Sequence, residues 1–159
     1  MSAADLERLF GLGGKTAVVT GGTRGIGMMI ARGLLQAGAR VVVSSRKADA
    51  CDQAVAVLSE FGDVRAVAAD LSRQEECKRL AADVLSRTDT LDILVNNAGA
   101  TWGEPLETFP AAAPLRRIGR VAVMAGIAIF LASRAGSYLN GAVIPVDGGI
   151  ATTASGTAR

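Results

Sequence analysis

A glycine-rich turn joins an apolar strand to a helix, and this junction constrains the chain more than any other feature. The turn is Thr20-Gly21-Gly22-Thr23-Arg24-Gly25-Ile26-Gly27. The apolar residues 16–20 run straight into it. A helical spacing of Ile26, Met29, Ile30, Gly33, Leu34 and Ala37 runs out of it. Glycine tolerates positive φ and lets backbone approach a ligand closely. The first N–H groups of the following helix, at its positive dipole end, then face an anion. A strand before the motif and a helix after it make the motif specific for phosphate binding. Gly14-Lys15-Thr16 contains the P-loop triplet, but Leu9 stands where the first glycine of that loop belongs. The triplet also precedes the strand instead of following one.

The remaining elements alternate. Strands are predicted over 15–20, 40–45, 64–69 and 91–95, and helices over 24–37 and 49–60. A further helix opens with Ser72 and Glu75 spaced as a capping box. Thr23 is placed to cap the first of these helices. The unbroken valines 41–43 indicate a strand buried on both faces, as in a parallel sheet. Residues 6–10 are expected to form a short turn over the edge of the first strand. The end of the second strand carries Ser44, Ser45, Arg46 and Lys47, where an NAD-binding fold places an acid on the ribose 2′-hydroxyl. A carboxylate would repel a 2′-phosphate, whereas a guanidinium binds one through two parallel hydrogen bonds. Arg24 is positioned to supply a second positive charge. Asp70 and Leu71 follow the third strand. Asn96-Asn97-Ala98-Gly99 follows the fourth, where the Asn97 amide is able to bridge neighbouring strands.

The spacing Thr20-Gly21-x3-Gly25-Ile26-Gly27, the Asp70-Leu71 pair and Asn96-Asn97-Ala98-Gly99, in this order, resemble the short-chain dehydrogenase/reductase family. Within that family it resembles the 3-oxoacyl-carrier-protein reductase branch. The resemblance covers residues 12–110 and resumes over 115–150, with a junction near 110–114. It implies one α/β domain over 1–159: a doubly wound, mostly parallel, Rossmann-like sheet. The strand order is 3-2-1-4 plus a final C-terminal strand over 142–146, expected to pair beside the fourth. It implies a nucleotide cofactor, NADP(H) in preference to NAD(H), because of Arg24 and Arg46. The cofactor-binding residues it implies are Gly21, Thr23, Arg24, Gly25, Ile26, Gly27, Ser45, Arg46, Asp70, Leu71, Asn97, Ala98 and Gly99. Asp70 would contact adenine or would simply help to start the next helix. The implied substrate is a small carbonyl or acyl compound.

The chain then departs from the family. A member continues after Phe109-Pro110 with a helix, a strand ending in serine and a helix bearing Tyr-x3-Lys. Here Ala111-Ala112-Ala113-Pro114 leads directly to the segment before the family's last helix, predicted over 124–133. Tyr138 is the only tyrosine, and Ala142 stands four positions later in place of lysine. Tyr138 is expected to pack in the final strand, and no catalytic residue is assigned. Carbonyl reduction needs a proton donor held against the hydride donor, so the chain is expected to lack family-type turnover. It reads as a shortened oxidoreductase; a nucleotide-binding pseudoenzyme and an interaction module are the alternatives. Trp102 would cover a substrate or pack under a loop.

Composition excludes other classes. The net charge is +2, with Lys and Arg scattered singly, so no nucleic-acid surface is expected. The apolar run 121–132 is too short for a membrane span. The N-terminus lacks the pattern of a signal peptide. Cys51 and Cys77 match no metal or redox spacing and are expected to be buried thiols, giving a cytoplasmic reading with no metal. The oligomeric state stays open.

Overall fold

The computed structural model describes residues 1–99, 114–117 and 119–153. In chain order its elements are α1 (Ala3–Phe10), β1 (Thr16–Thr20), α2 (Gly25–Gln36), β2 (Arg40–Ser45), α3 (Ala48–Leu58), β3 (Val64–Ala68), α4 (Gln74–Leu85), β4 (Ile93–Val95), α5 (Val121–Ala132) and α6 (Ile150–Thr153). Four strands form one parallel sheet in the order β3-β2-β1-β4. β1 lies in the middle, with Thr16 to Thr20 opposite Arg40 to Ser44 on one side and Ala17 to Val19 opposite Ile93 to Val95 on the other. All five of its residues are buried, as an unbroken apolar strand in a parallel sheet requires.

Side chains alternate between the faces of a strand, and here each face has its own core. Ala17, Val19, Val41, Val43 and Val64 pack against Ala31, Leu34 and Leu35 of α2 and Ala54 and Leu58 of α3. On the other face, Val18 and the partly buried Val42 and Val67 meet Leu80 and Val84 of α4. Helices thus flank both faces, and α5 packs against α2 on the first, with Ile129 and Ala132 reaching its core.

The α2–α5 crossing depends on small residues. A Cβ built on Gly33 would lie 2.6 Å from the Ala125 Cβ, so the two backbones approach more closely than any side chain at position 33 permits. The Lys15 ammonium donates to the Ala132 carbonyl at 2.7 Å and satisfies one of the open carbonyls at the end of α5.

Several expectations are corrected. Residues 3–10 form a helix with a reciprocal Ser2/Asp5 capping box. That helix lies against the turn Arg134–Gly136 and not on β1, which has a strand on each side and therefore no edge to cover. Residues 142–146 form no strand, and β4 pairs only with β1 among the described residues. The last helix begins at Val121, with no acid in its first turn. Cys51 is buried and burial pushes its thiol pKa up, but Cys77 is exposed on α4. The junction near 110–114 lies, except for Pro114, outside the described residues, as does Trp102.

Gly33→Val is expected to destabilise the fold by about 1–3 kcal/mol, the usual cost of overpacking. Ala125→Gly in the same chain should recover part of that loss. Urea unfolding followed by circular dichroism measures both.

Candidate functional site

The carboxyl ends of β1, β2 and β3 and the loop after β4 surround one cavity of about 1310 Å³. Ligands of open α/β sheets bind at this edge, because the loops leaving the strands diverge there. Every residue that the sequence assigned to a cofactor lines this cavity, including Ile26, Ser45, Leu71 and Gly99. The assignment did not include Asp49 and Ala50, which line it from the first turn of α3. The general rule that ligands sit beyond every strand end would have found them, since they follow β2 directly.

The glycine turn is built for close approach. Gly25 has a φ of +55°, and a Cβ there would meet nothing within 4 Å, so the position faces open space. Gly27 is closed in: a Cβ there would lie 2.4 Å from the Gly21 carbonyl and 2.5 Å from the Asn97 Nδ2. Thus Gly25 supplies the backbone turn and Gly27 lets α2 sit tightly against the loop. Arg24 takes the N-cap position of α2 without a side-chain cap, where Thr23 was expected. No acid stands in the first turn of α2. The first amides of the helix therefore keep their positive field, which favours an anion.

A small polar knot holds the loop after β4 against this turn. The Thr20 hydroxyl accepts from the backbone N–H groups of Asn97 and Ala98, both at 3.0 Å, and donates to the Val95 carbonyl at 3.2 Å. The Asn97 amide donates to the Thr20 carbonyl at 2.9 Å and to the Gly21 carbonyl at 3.3 Å. The strand-bridging role read from the sequence for Asn97 is therefore present.

On the β2 side, Arg24, Arg46 and Lys47 are exposed at the cavity, which Asp49 and Asp70 also line. Asp70 Oδ1 accepts from the Ser72 hydroxyl at 2.8 Å and from the Ser72 backbone N–H at 3.1 Å. These bonds hold the Asp70 carboxyl below its usual range, with the charges of Arg46 and Arg73 adding to the effect. Ser72 is thus spent on Asp70 and does not cap α4, whose N-cap position is Arg73. The helix-starting role is not taken by the Asp70 side chain, whose Oδ1 bonds only Ser72, ahead of α4, while Oδ2 has no protein partner among the described residues.

With this geometry in place, comparison with known proteins identifies the lineage. The family model described as short chain dehydrogenase matches residues 15–153. The chain belongs to the short-chain dehydrogenase family. Over 101 residues it is 52% identical to the rhamnolipids biosynthesis 3-oxoacyl-[acyl-carrier-protein] reductase of Pseudomonas aeruginosa, covering 64% of this chain and 40% of that protein. It is 43% identical over 99 residues to the human dehydrogenase/reductase SDR family member 4, covering 62% and 36%. The chain therefore spans about two fifths of the length of the curated relatives it matches. The solved Pseudomonas aeruginosa RhlG/NADP active-site complex superposes with a TM-score of 0.83 at 29% identity, spanning 90% of this chain and 98% of that one. A 7α-hydroxysteroid dehydrogenase with a TM-score of 0.83 and 22% identity shares the fold.

This short-chain dehydrogenase holds no Tyr-x3-Lys pair among its described residues. Tyr138 is fully exposed, which corrects its expected packing role, because the strand that would have buried it does not form. No cluster of three metal-ligating side chains occurs among the described residues, and no helix there is long and apolar enough to cross a membrane.

Thr20→Val removes the acceptor shared by the Asn97 and Ala98 amides. It is expected to cost about 1 kcal/mol, the net worth of one hydrogen bond, because the Asn97 N–H keeps the Val95 carbonyl at 3.0 Å and Ala98 is exposed. Hydrogen exchange at these two amides should accelerate much more than in the centre of β2.

Proposed function

We propose that this chain is an NADP(H)-binding oxidoreductase homologue that holds the dinucleotide without reducing carbonyl substrates itself. The observation that carries the reading is the single cavity in which the glycine turn, the uncompensated start of α2, Arg24 and Arg46 converge. The amides of residues 25–27 would hold the diphosphate, and Ser45 with Arg46 and Arg24 the 2′-phosphate. Asp70 and Leu71 would border the adenine, and Asn97, Ala98 and Gly99 the ribose and nicotinamide side. The glycine cradle supports this fit: position 25 is open toward the cavity while position 27 has no room for a Cβ. The cofactor supplies a hydride donor or acceptor when bound. The residues of this chain bind it, orient it and exclude water from the loop.

The preference for NADP(H) over NAD(H) rests on Arg46 at the end of β2, where a carboxylate would serve the 2′-hydroxyl. The solved neighbour whose title names an NADP complex supports the same reading. The absence of turnover rests on the sequence between β4 and α5. The 101 residues matched in the Pseudomonas reductase make up only 40% of it, so that protein is far longer than this chain. The family's Ser and Tyr-x3-Lys segment is what the shortened junction omits. In the full reaction the substrate would be a small carbonyl or acyl compound, and the compartment the cytoplasm. A second reading, a pseudoenzyme that senses nucleotide for a partner protein, is favoured by the completeness of the cavity in a chain without the catalytic pair.

Titration of NADPH fluorescence tests the reading. NADPH should bind about tenfold or more tightly than NADH, the scale of a charge-assisted phosphate contact. Arg46→Asp should abolish the preference. Incubation with ketone and 3-oxoacyl substrates should consume no NADPH. A protein of this mass, confirmed by intact mass spectrometry, that oxidises NADPH on such substrates would overturn the proposed loss of turnover. Failure to bind either nucleotide would overturn the site itself.

A further inference from the structure

Asn140 and Gly141 form the only Asn-Gly pair of the sequence, between the turn Arg134–Gly136 and α6. Neither lines the cavity at the carboxyl ends of the strands. Both are exposed, and they belong to no helix or strand. The last backbone bond before them runs from the Leu139 N–H to the Gly136 carbonyl at 2.9 Å. The Asn140 side-chain amide and the Gly141 N–H have no hydrogen-bond partner among the described residues.

Such a pair carries its own chemistry. The backbone nitrogen after an asparagine can close a five-membered ring on the side-chain Cγ once it loses its proton. Ring closure needs a nitrogen outside any hydrogen bond, a backbone free to rotate, and no Cβ on the attacking residue to obstruct the approach. Gly141 has a φ of +64°, and a Cβ built on it would meet nothing within 4 Å, so the approach is open on every side.

The comparable positions are held back. The nitrogen that would attack Asn96 belongs to Asn97, and its N–H donates to the Thr20 hydroxyl and to the Val95 carbonyl, both at 3.0 Å. The nitrogen that would attack Asn97 belongs to Ala98, and its N–H donates to the same hydroxyl at 3.0 Å. The Asn97 side chain is itself fixed on the Thr20 and Gly21 carbonyls. Asp147-Gly148 is the only Asp-Gly pair. Asp147 Oδ1 accepts from the Gly149 N–H at 2.9 Å and Oδ2 from the Ala151 N–H at 2.8 Å. These bonds hold its carboxyl below the usual range, as a carboxylate, which is a poor electrophile.

We infer that Asn140 is a site of spontaneous covalent modification, converted by its own backbone into aspartate and isoaspartate. The Gly141 nitrogen gives its proton to a solvent base and bonds to Asn140 Cγ. The Cγ–Nδ2 bond breaks, and the side-chain nitrogen takes up a solvent proton and leaves as ammonia. Water then adds to either carbonyl of the cyclic imide. Cleavage of the new Cγ–N bond gives aspartate. Cleavage of the original peptide bond gives isoaspartate, with the main chain lengthened by one carbon ahead of Asp147. Nothing is oxidised or reduced. Either product puts a carboxylate where an amide stood and lowers the net charge of +2 by one. The reaction does not depend on nucleotide binding.

Timed incubation of the full chain tests the inference, followed by digestion at mildly acidic pH and tandem mass spectrometry. Peptides holding residue 140 should gain the mass difference between NH and O, in both aspartate and isoaspartate forms. The rate should rise in proportion to hydroxide, and residues 96 and 97 should stay unmodified over the same time. Asn140→Gln should lose the product, because its ring would need a sixth member. Gly141→Ala should slow the reaction about tenfold, equivalent to about 1.4 kcal/mol of added barrier. Unfolding in urea should leave the Asn140 rate nearly unchanged, while isoaspartate at Asp147 forms faster because its protecting bonds are gone. An Asn140 that stays intact, earlier modification at residue 96 or 97, aspartate without isoaspartate, or a marked acceleration at Asn140 on unfolding would each overturn the inference.

Discussion

The hydroxyl of Thr20 is the point on which the cavity at the carboxyl ends of the strands depends. Two parallel strands end side by side there, and the chain leaving β4 has amides at Asn97 and Ala98 that the ladder no longer pairs. One hydroxyl takes both, and Asn97 returns its own amide to the carbonyls of Thr20 and Gly21. The loop after β4 is thereby locked to the glycine turn after β1. Gly27 then fits beneath Asn97 because nothing larger would. The geometry of the anion-facing helix start and the far wall of the cavity are set by the same few bonds.

Around this knot the sheet is covered unevenly. The first face carries α2, α3 and α5 and holds the larger core. The second face has α4 and a small cluster around Val18. The consequence is visible at adjacent strands: Val18 is 4% exposed and Leu94, its register partner on β4, is 56% exposed. α5 shows the same shortage, being apolar throughout yet leaving Val123 and Leu131 in solvent. A helix apolar on all sides is normally buried on all sides.

Most of the fold and nearly all of the candidate site were legible because they rest on local patterns. Buried valines, helical spacing and glycine between them are readable one segment at a time, and strand order follows from the alternation. The errors came where one side chain had two possible partners. Ser72 satisfies a capping-box pattern, yet Asp70 lies two residues away and competes for its hydroxyl. Thr23 has the chemistry of an N-cap, yet the backbone of Arg24 takes the extended geometry and α2 begins one residue later. Cys77 fits an apolar stripe on α4, of which only Leu80 and Val84 are buried. Residues 142–146 have the composition of a strand, yet they leave the outer edge of β4 unpaired among the described residues, since strand composition alone does not bring a segment into register with an edge.

By itself the sequence determined the order of strands and helices, the glycine turn with its positive helix start, and the basic end of β2 in place of an acid. These are properties of short segments and of residue chemistry. Tertiary structure alone decided that Tyr138 and residues 142–145 stand in solvent and that Asp49 lines the cavity at the carboxyl ends of the strands. Each depends on which distant element is present to pair, cover or neutralise, and no local pattern encodes that.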